Sequence, residues 1–522
     1  MQIYMSTLSS SSENVCNDTR MMMDDWPLIA VHLFSETEVA CPFDGGYDFD
    51  ISLPSGEKVC SSTFLPLRLE SSCVKGEGLL IRFRNNGCRQ LAWNLRDENR
   101  LRCAAKWRIE GNDYVVVRNS DNHQYWCMRV EYDENKIIKK IYFFLDKICD
   151  TKARFLKERK YIIFKMRRHV VQSLCSDEFN GCRNPQQCKT KLKSHCLQSC
   201  GECKVNRDGS IHGLRACSFP KFMHGTWVRH VRSGTSKIVI RNNTVNINGE
   251  PNWHCISAGE GNYSRRHVLM KKFDNGCYPR FMCIELQETS PSVMRYRVGD
   301  IVLWPVNITY GLQEQVCNDN RFVQQYSNFS VSSSQGIIPL QNLVRDYDKR
   351  AVSCNLPAGL GTSLAFRGNK SRQGCLLHDI HFIPHKMVLM LEDDGGRYKT
   401  HGQYFCLASM KFIDEYDTIV TQTKDRIDEY LCWMIIDNKE LIILPASMCN
   451  RVHAEAVIKR IEEPLARLSL ISNNDCTEVE KRWRKMVVSS RNKHPLIEKY
   501  SSANQTRGLA TVLFFMLLLA LQ

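Results

Sequence analysis

The 522-residue chain is short of the motifs that carry familiar chemistry. It has no Gly-x-Ser-x-Gly elbow, no His-Glu-x-x-His pair, no phosphate loop and no Gly-x-Gly-x-x-Gly turn. Those absences leave no ground in the sequence for an α/β hydrolase, a zinc protease or a nucleotide-binding enzyme. No pair of Cys-x2-Cys knuckles stands at finger distance, and the fifteen histidines are scattered. The acidic run Glu392-Asp393-Asp394 before Gly395-Gly396 lacks the alternation of an EF-hand loop and reads as a solvated hairpin turn. No catalytic residue, metal or cofactor is therefore expected. The chain also lacks the run of about 20 apolar residues that spans a bilayer. Its first twelve residues hold no apolar core of a secretory signal, although the features below demand entry into the secretory pathway, so the start is expected to be truncated or misplaced.

Cysteine, in contrast, is abundant. Twenty-five cysteines would stand idle in a reducing compartment unless they bound metal, so disulfides and an oxidising compartment are the better reading. The odd count leaves at least one thiol free or paired between chains. Asn-x-Ser/Thr sequons at Asn17, Asn242, Asn262, Asn307, Asn328, Asn369 and Asn504 agree with that compartment and are the expected glycosylation positions. The net charge of +15 raises affinity for polyanions, and outside the cell that means sulfated glycan or anionic lipid, not nucleic acid. An extracellular protein is the other partner class expected.

The C-terminal end has three parts: small residues around Ser501-Ser502-Ala503, a short polar spacer, and an uncharged stretch from Leu509 to Leu521. That order reads as a glycosylphosphatidylinositol attachment signal, with Ser501 or Ser502 as the attachment residue and the membrane reached through the tail.

Three stretches begin alike: Cys41-Pro42-Phe43 before Gly46-Tyr47, Cys217-Ser218-Phe219 before Gly225-Thr226-Trp227, and Cys354-Asn355-Leu356 before Gly361-Thr362. Each later has a Gly-Cys turn (Gly87-Cys88, Gly276-Cys277, Gly374-Cys375) and an apolar strand with an internal cysteine (Cys127, Cys283, Cys406). Short β-branched or aromatic runs such as 78–84, 114–118, 237–241, 267–273, 387–391 and 441–444 end in turn residues and predict antiparallel strands. The expected fold is mainly β: several disulfide-stapled antiparallel domains, sandwiches or lipocalin-like barrels, plus one small α-helical six-cysteine module. The expected order is an unstructured start (1–35), a first β domain (36–135), a basic stretch (136–174), the module (175–203), second and third β domains (214–312 and 313–452), a helical stalk (453–500) and the tail (501–522). The basic stretch reads as a linker, as a helix lying on sulfated glycan or membrane, or as sequence outside the true coding frame.

Cys175, Cys182, Cys188, Cys196, Cys200 and Cys203 fall within one short segment ending Cys196-Leu197-Gln198-Ser199-Cys200-Gly201-Glu202-Cys203. A unit so small needs cross-links to fold, and six cysteines allow fifteen pairings. The segment resembles the ShK toxin-like domain. That resemblance implies the pairs Cys175–Cys203, Cys182–Cys196 and Cys188–Cys200. Lysines lie between the third and fourth cysteines but no tyrosine does, so a small adhesive or spacer module is expected and not a channel blocker.

The flanking segments, through Cys41-Pro42-Phe43-Asp44-Gly45-Gly46, Ala105-Lys106-Trp107, Tyr125-Trp126-Cys127 and Cys277-Tyr278-Pro279-Arg280-Phe281-Met282-Cys283, resemble a family of multidomain extracellular animal proteins built of domains of unknown function. Gly225-x-Trp227 also looks like the opening of a lipocalin barrel, where the Trp closes one end of a cup for apolar ligands. The expected function is a non-enzymatic cell-surface or secreted glycoprotein that binds or adheres; the alternative is a lipocalin-like carrier of small apolar ligands.

Overall fold

A strand points successive side chains to opposite faces, and closing a sheet on itself turns one face into an interior. That rule organises most of this chain. The computed structural model describes residues 39–60, 67–74, 77–83, 98–109, 111–119, 124–144, 161–169, most of 175–204, 217–231, 234–250, 252–261, 264–304, 306, 311–322, 338–346, 349–352, 354, 363–367, 373–379, 383–412, 416–426, 429–436, 439–460, 462–471 and 476–493, besides two short strands, β1 (Gln2–Ile3) and β2 (Ile29–Ala30). The described residues are mainly β and form three closed antiparallel barrels.

Contacts divide the chain into two compact units, one of Met1–Cys217, Trp253–Cys283 and Gly299–Arg321, the other of Ser218–Asn252, Ile284–Val298 and Phe322–Gln522. The first unit contains a barrel of β3 (Gly45–Ser52), β5 (Leu67–Ser71), β6 (Leu79–Arg82), β7 (Glu98–Ile109), β8 (Asn112–Asn119), β9 (Tyr125–Tyr132), β10 (Ile138–Phe144) and β11 (Tyr161–Arg168), with β4 (Lys58–Cys60) paired outside the ring. Each strand pairs with the next in sequence, and β11 returns to β3 to close the ring. Inward positions are apolar: Phe49, Phe83, Phe143 and Phe164 are fully buried in one cluster. Their rings pack at centroid separations of 4.5 Å (Phe49–Phe164), 5.5 Å (Phe143–Phe164) and 6.1 Å (Phe49–Phe83), so aromatic side chains fill this barrel.

β10 and β11 lie where a basic linker or helix was expected. The outward Lys165 and Arg167 alternate with inward Ile162, Phe164 and Met166, so the basic residues are the solvent face of a barrel strand.

The middle sheet runs β16-β15-β14-β13-β12-β20-β18-β17-β19, with a further β16–β17 pairing. Its strands are β12 (Gly225–Val231), β13 (Gly234–Ile240), β14 (Thr244–Ile247), β15 (Trp253–Ala258), β16 (Arg266–Lys271), β17 (Arg280–Ser290), β18 (Val293–Val298), β19 (Val302–Leu303) and β20 (Gln341–Arg345), with helix α1 (Leu312–Cys317) between β19 and β20. β20 therefore belongs to this sheet and not, as the expected boundary at 312 had it, to the next domain.

The third barrel lies in the second unit and is a sequential meander: β21 (Ser363–Arg367), β22 (Gln373–Asp379), β23 (Ile383–Glu392), β24 (Tyr398–Phe412), β25 (Tyr416–Thr423), β26 (Tyr430–Ile436), β27 (Glu440–Pro445) and β28 (Ala466–Ile471). Inside it Tyr404 meets Trp433 edge-on at 4.9 Å, and the Trp433 indole donates to Thr421 Oγ1 at 2.8 Å. Residues 453–500, expected as a stalk, supply part of this domain. Helix α2 (Arg451–Ile458) buries Ala454 and Val457, β28 closes the ring against β21, and helix α3 (Thr477–Lys493) buries Val479 and Trp483 beside Cys375 and Val388. The apolar stripe that makes a helix pack is thus present in α3 despite its polar composition.

Disulfides repeat through the barrels. Cys41–Cys103, Cys217–Cys255 and Cys354–Cys406 each tie the segment before the first strand to the fourth strand of the ring. Beside each bond runs one backbone hydrogen bond: Val39 N to Cys103 O, Cys217 N to Cys255 O and Val352 N to Cys406 O. Cys283–Cys317 and Cys432–Cys449 tie a sixth strand to the chain after the seventh. The structural counterpart of Cys127 and Cys283 is accordingly Cys432, whereas Cys406 corresponds to Cys103 and Cys255. The Gly-Cys pairs also differ in place, since Gly276-Cys277 precedes a sixth strand and Gly374-Cys375 lies on a second. In the six-cysteine segment the bonds are Cys175–Cys203, Cys182–Cys196 and Cys188–Cys200, and the described helical turns, Asn180–Arg183 and Pro185–Lys189, are 3-10.

Candidate functional site

Two constructions in the described residues use polar chemistry in an organised way. The first lies at the start of β12, within the second unit. Lys221–Met223 forms a 3-10 turn, and Gly225 then enters β12 with φ of +133°, a region that suits glycine. The turn delivers Trp227, buried at 2% exposure. Its indole donates to Met223 O at 2.8 Å. Arg345 pairs with Trp227 across β12 and β20, with its guanidinium 4.6 Å from the ring centroid. The fork donates to Phe222 O at 2.6 Å, His224 O at 3.1 Å and Pro291 O at 3.1 Å. One arginine thus satisfies the carbonyls of the turn and covers the indole, and a cation over an indole face is favourable in itself.

The first barrel carries a related device. Gly45 has φ of +102°, the Tyr47 hydroxyl donates to Asp44 O at 3.1 Å, and Arg168 pairs with Tyr47 across β3 and β11. Burial, together with Asp44, keeps the Tyr47 phenol above its ordinary range against the opposing pull of Arg168. The Gly-x-aromatic steps were legible in sequence. Arg168 and Arg345 were not, because each is the last-strand partner and lies far along the chain.

The second construction is a buried ion network in the first unit. On β5 the inward Leu67 and Leu69 alternate with outward Arg68 and Glu70, yet those two are 0% and 1% exposed. Residues 275–280 lie over them, fastened by Cys73–Cys277. Arg68 donates from Nε to Glu70 Oε1 at 2.8 Å, from Nη1 to Asp48 Oδ1 at 3.1 Å and from Nη2 to Gly276 O at 2.5 Å, with its guanidinium 3.5 Å from the Tyr278 ring centroid. Glu70 also accepts from Tyr278 N at 3.1 Å and from Arg280 Nη2 at 2.6 Å. Arg280 in turn reaches Glu77 Oε1 from Nε at 2.8 Å. Asp48 Oδ2 meets His169 Nδ1 at 2.9 Å.

Burial alone would raise the Glu70 carboxyl, but Arg280, Arg68 and Arg82 outweigh it and hold it down to about 2. Burial likewise opposes ionisation of Asp48, and His169 and Arg68 overcome it, so its carboxyl lies below the usual range. Both Glu70 oxygens are occupied, and a carboxyl held so low is a poor proton donor or acceptor near neutrality. The geometry is a clamp. Backbone closeness confirms it: Gly46 N donates to Asn275 O at 3.0 Å, and a Cβ at Gly46 would stand 2.0 Å from Gly276 O.

Among the described residues no group of three or more His, Cys, Asp and Glu could hold a metal ion. Of the sequons, Asn242 is described; it is exposed in the turn between β13 and β14. Asn17, Asn262, Asn307, Asn328, Asn369, Asn504, Ser501 and Ser502 lie outside the described residues. No helix of the described residues is long and apolar enough to cross a membrane.

Two family models match the chain. Domain of unknown function (DUF7042) matches residues 37–165, the first barrel up to the middle of β11. Domain of unknown function (DUF7043) matches residues 214–330, from ahead of β12 to past α1. No curated protein matches the chain.

Proposed function

We propose that this chain is a cell-surface or secreted glycoprotein that binds an extracellular partner without catalysis, tethered through its C-terminal tail. The observation that carries the reading is the covalent framework: 21 cysteines of the described residues are disulfide-bonded, and each barrel is stapled in the same way. Such a framework persists in an oxidising compartment. Rigid closed barrels hold surface loops in fixed places, which suits recognition. The exposed Asn242 turn can accept a glycan without disturbing the sheet, and the six-cysteine segment serves as a small ShK toxin-like spacer or adhesive module. Treating expressing cells with phosphatidylinositol-specific phospholipase C should release the protein into the medium. Protein that stays on the cells under conditions that release a known lipid-anchored control would sink the tether.

A second reading, a carrier of small apolar ligands, draws on the Gly225-x-Trp227 step that opens β12, where Arg345 covers the buried Trp227. The first barrel offers no such cup, since its phenylalanines fill it. Native mass spectrometry of the purified protein should detect a retained apolar molecule if this reading holds, and only glycan-derived mass heterogeneity if it does not.

A further inference from the structure

Helix α3 faces two ways. Trp483 and Val479 are buried against the third barrel at 6% and 8% exposure. Around that Trp the sequence is Lys481-Arg482-Trp483-Arg484-Lys485, four bases in five residues. On a helix of 3.6 residues per turn, turning Trp483 inward necessarily spreads the flanking bases over the outer surface. Lys481, Arg482 and Lys485 are exposed and Arg484 is half-buried. Two acids answer them: Glu478 meets Lys481 at 2.9 Å and Glu480 meets Arg484 at 2.6 Å. Arg482 and Lys485 also help hold the Glu478 carboxyl below its ordinary range, after the larger effect of Lys481. From Lys481 to Ser489 the helix carries four bases and no acid.

A helix dipole favours bases toward the C-terminus. It does not call for a cluster of four, nor for the exposed Met486 and Val488, at 55% and 43%, that flank it. We propose that the outer face of α3, centred on Arg482 and Lys485, is a docking surface for a sulfated glycan. Charge complementarity identifies the occupant: closely set guanidinium and ammonium groups match a repeating polyanion. The outer face of α3 sets the exposed Lys481, Arg482 and Lys485 among two exposed apolar side chains, Met486 and Val488, less apolar surface than insertion into a lipid surface requires. Anionic lipid is moreover concentrated in the cytoplasmic leaflet, which a disulfide-stapled protein does not meet. The inference rests on the extracellular reading above and names its partner class.

The test is binding of the full-length protein to immobilised heparin and to chemically desulfated heparin, with two double variants. Arg482→Gln/Lys485→Gln should weaken heparin binding about tenfold or more. Lys165→Gln/Arg167→Gln, an equal charge change on the outer face of β11, should leave it within about twofold. Unchanged circular dichroism and melting temperature establish that both variants fold. Desulfated heparin should fail to bind. Equal loss in both variants would assign binding to diffuse charge and overturn the proposal, as would full retention in the α3 variant. Capture by phosphatidylserine vesicles without heparin binding would overturn it too. Phospholipase release is unaffected by these variants, so failure of the tether and failure of the glycan site are read separately.

Discussion

At the scale of single residues the most consequential group is Glu70. It has 1% of its surface exposed and two buried arginines at hydrogen-bond distance, Arg68 and Arg280. Removing one member of such a network leaves uncompensated charge in a low-dielectric place. Glu70→Gln should therefore destabilise the first unit by about 3–5 kcal/mol, read from the shift of its denaturant midpoint. The acid response follows from the same carboxyl. Its folded pKa of about 2 lies below the unfolded value, so the stabilisation is complete above the ordinary carboxylate range. It is lost as pH falls from about 4.5 toward about 2. Wild type should lose stability over that window, and Glu70→Gln should lose much less; parallel acid curves would count against the assignment. None of this was legible in the sequence. Arg68 and Glu70 between leucines look like the wet face of a strand, and only a partner 208 residues away, at Tyr278 and Gly276, makes that face dry.

At the scale of elements the sequence was most informative where strands are short and end in turn residues. The runs expected at 114–118 and 441–444 lie in β8 and β27, and that at 267–273 overlaps β16 up to Lys271. It misled where outward positions are basic, as in β11, because alternation was hidden by the density of lysine and arginine. Cysteine order alone could not say which cysteines correspond; strand order does. In the middle and third barrels the sixth-strand cysteine pairs with one after the seventh strand. Cys127 sits on the sixth strand of the first barrel and is disulfide-bonded. Carried to the first barrel, the rule predicts a partner in the sequence after β10, where the chain has Cys149. Non-reducing peptide mapping should recover a Cys127–Cys149 pair together with Cys41–Cys103, Cys217–Cys255 and Cys354–Cys406; a Cys127 peptide joined to Cys60 or Cys88 would break the rule. The Trp227–Arg345 pair was half legible: Gly225-x-Trp227 stands out in the sequence, but Arg345, which covers the indole, stands 118 residues beyond it.

At the scale of the whole molecule, the cysteine count suggested an oxidising compartment and the short runs ended by turn residues predicted the β class, while the polar constructions had to come from structure. The net charge of +15 says only that polyanions are favoured; α3 gives that charge a place. The bond Cys73–Cys277 spans 204 residues and encloses the six-cysteine segment, whose own three bonds are internal to it. A bond closing so long a loop adds roughly 5 kcal/mol on the chain-entropy account. It also decides how the protein responds to a protease. One cut between residues 204 and 217 severs the backbone but frees neither piece, so the product should run as one species on a non-reducing gel and as two once reduced. Shedding the small module would take a cut on each side of it, whereas a single cut beyond α3 would leave the three barrels on one polypeptide.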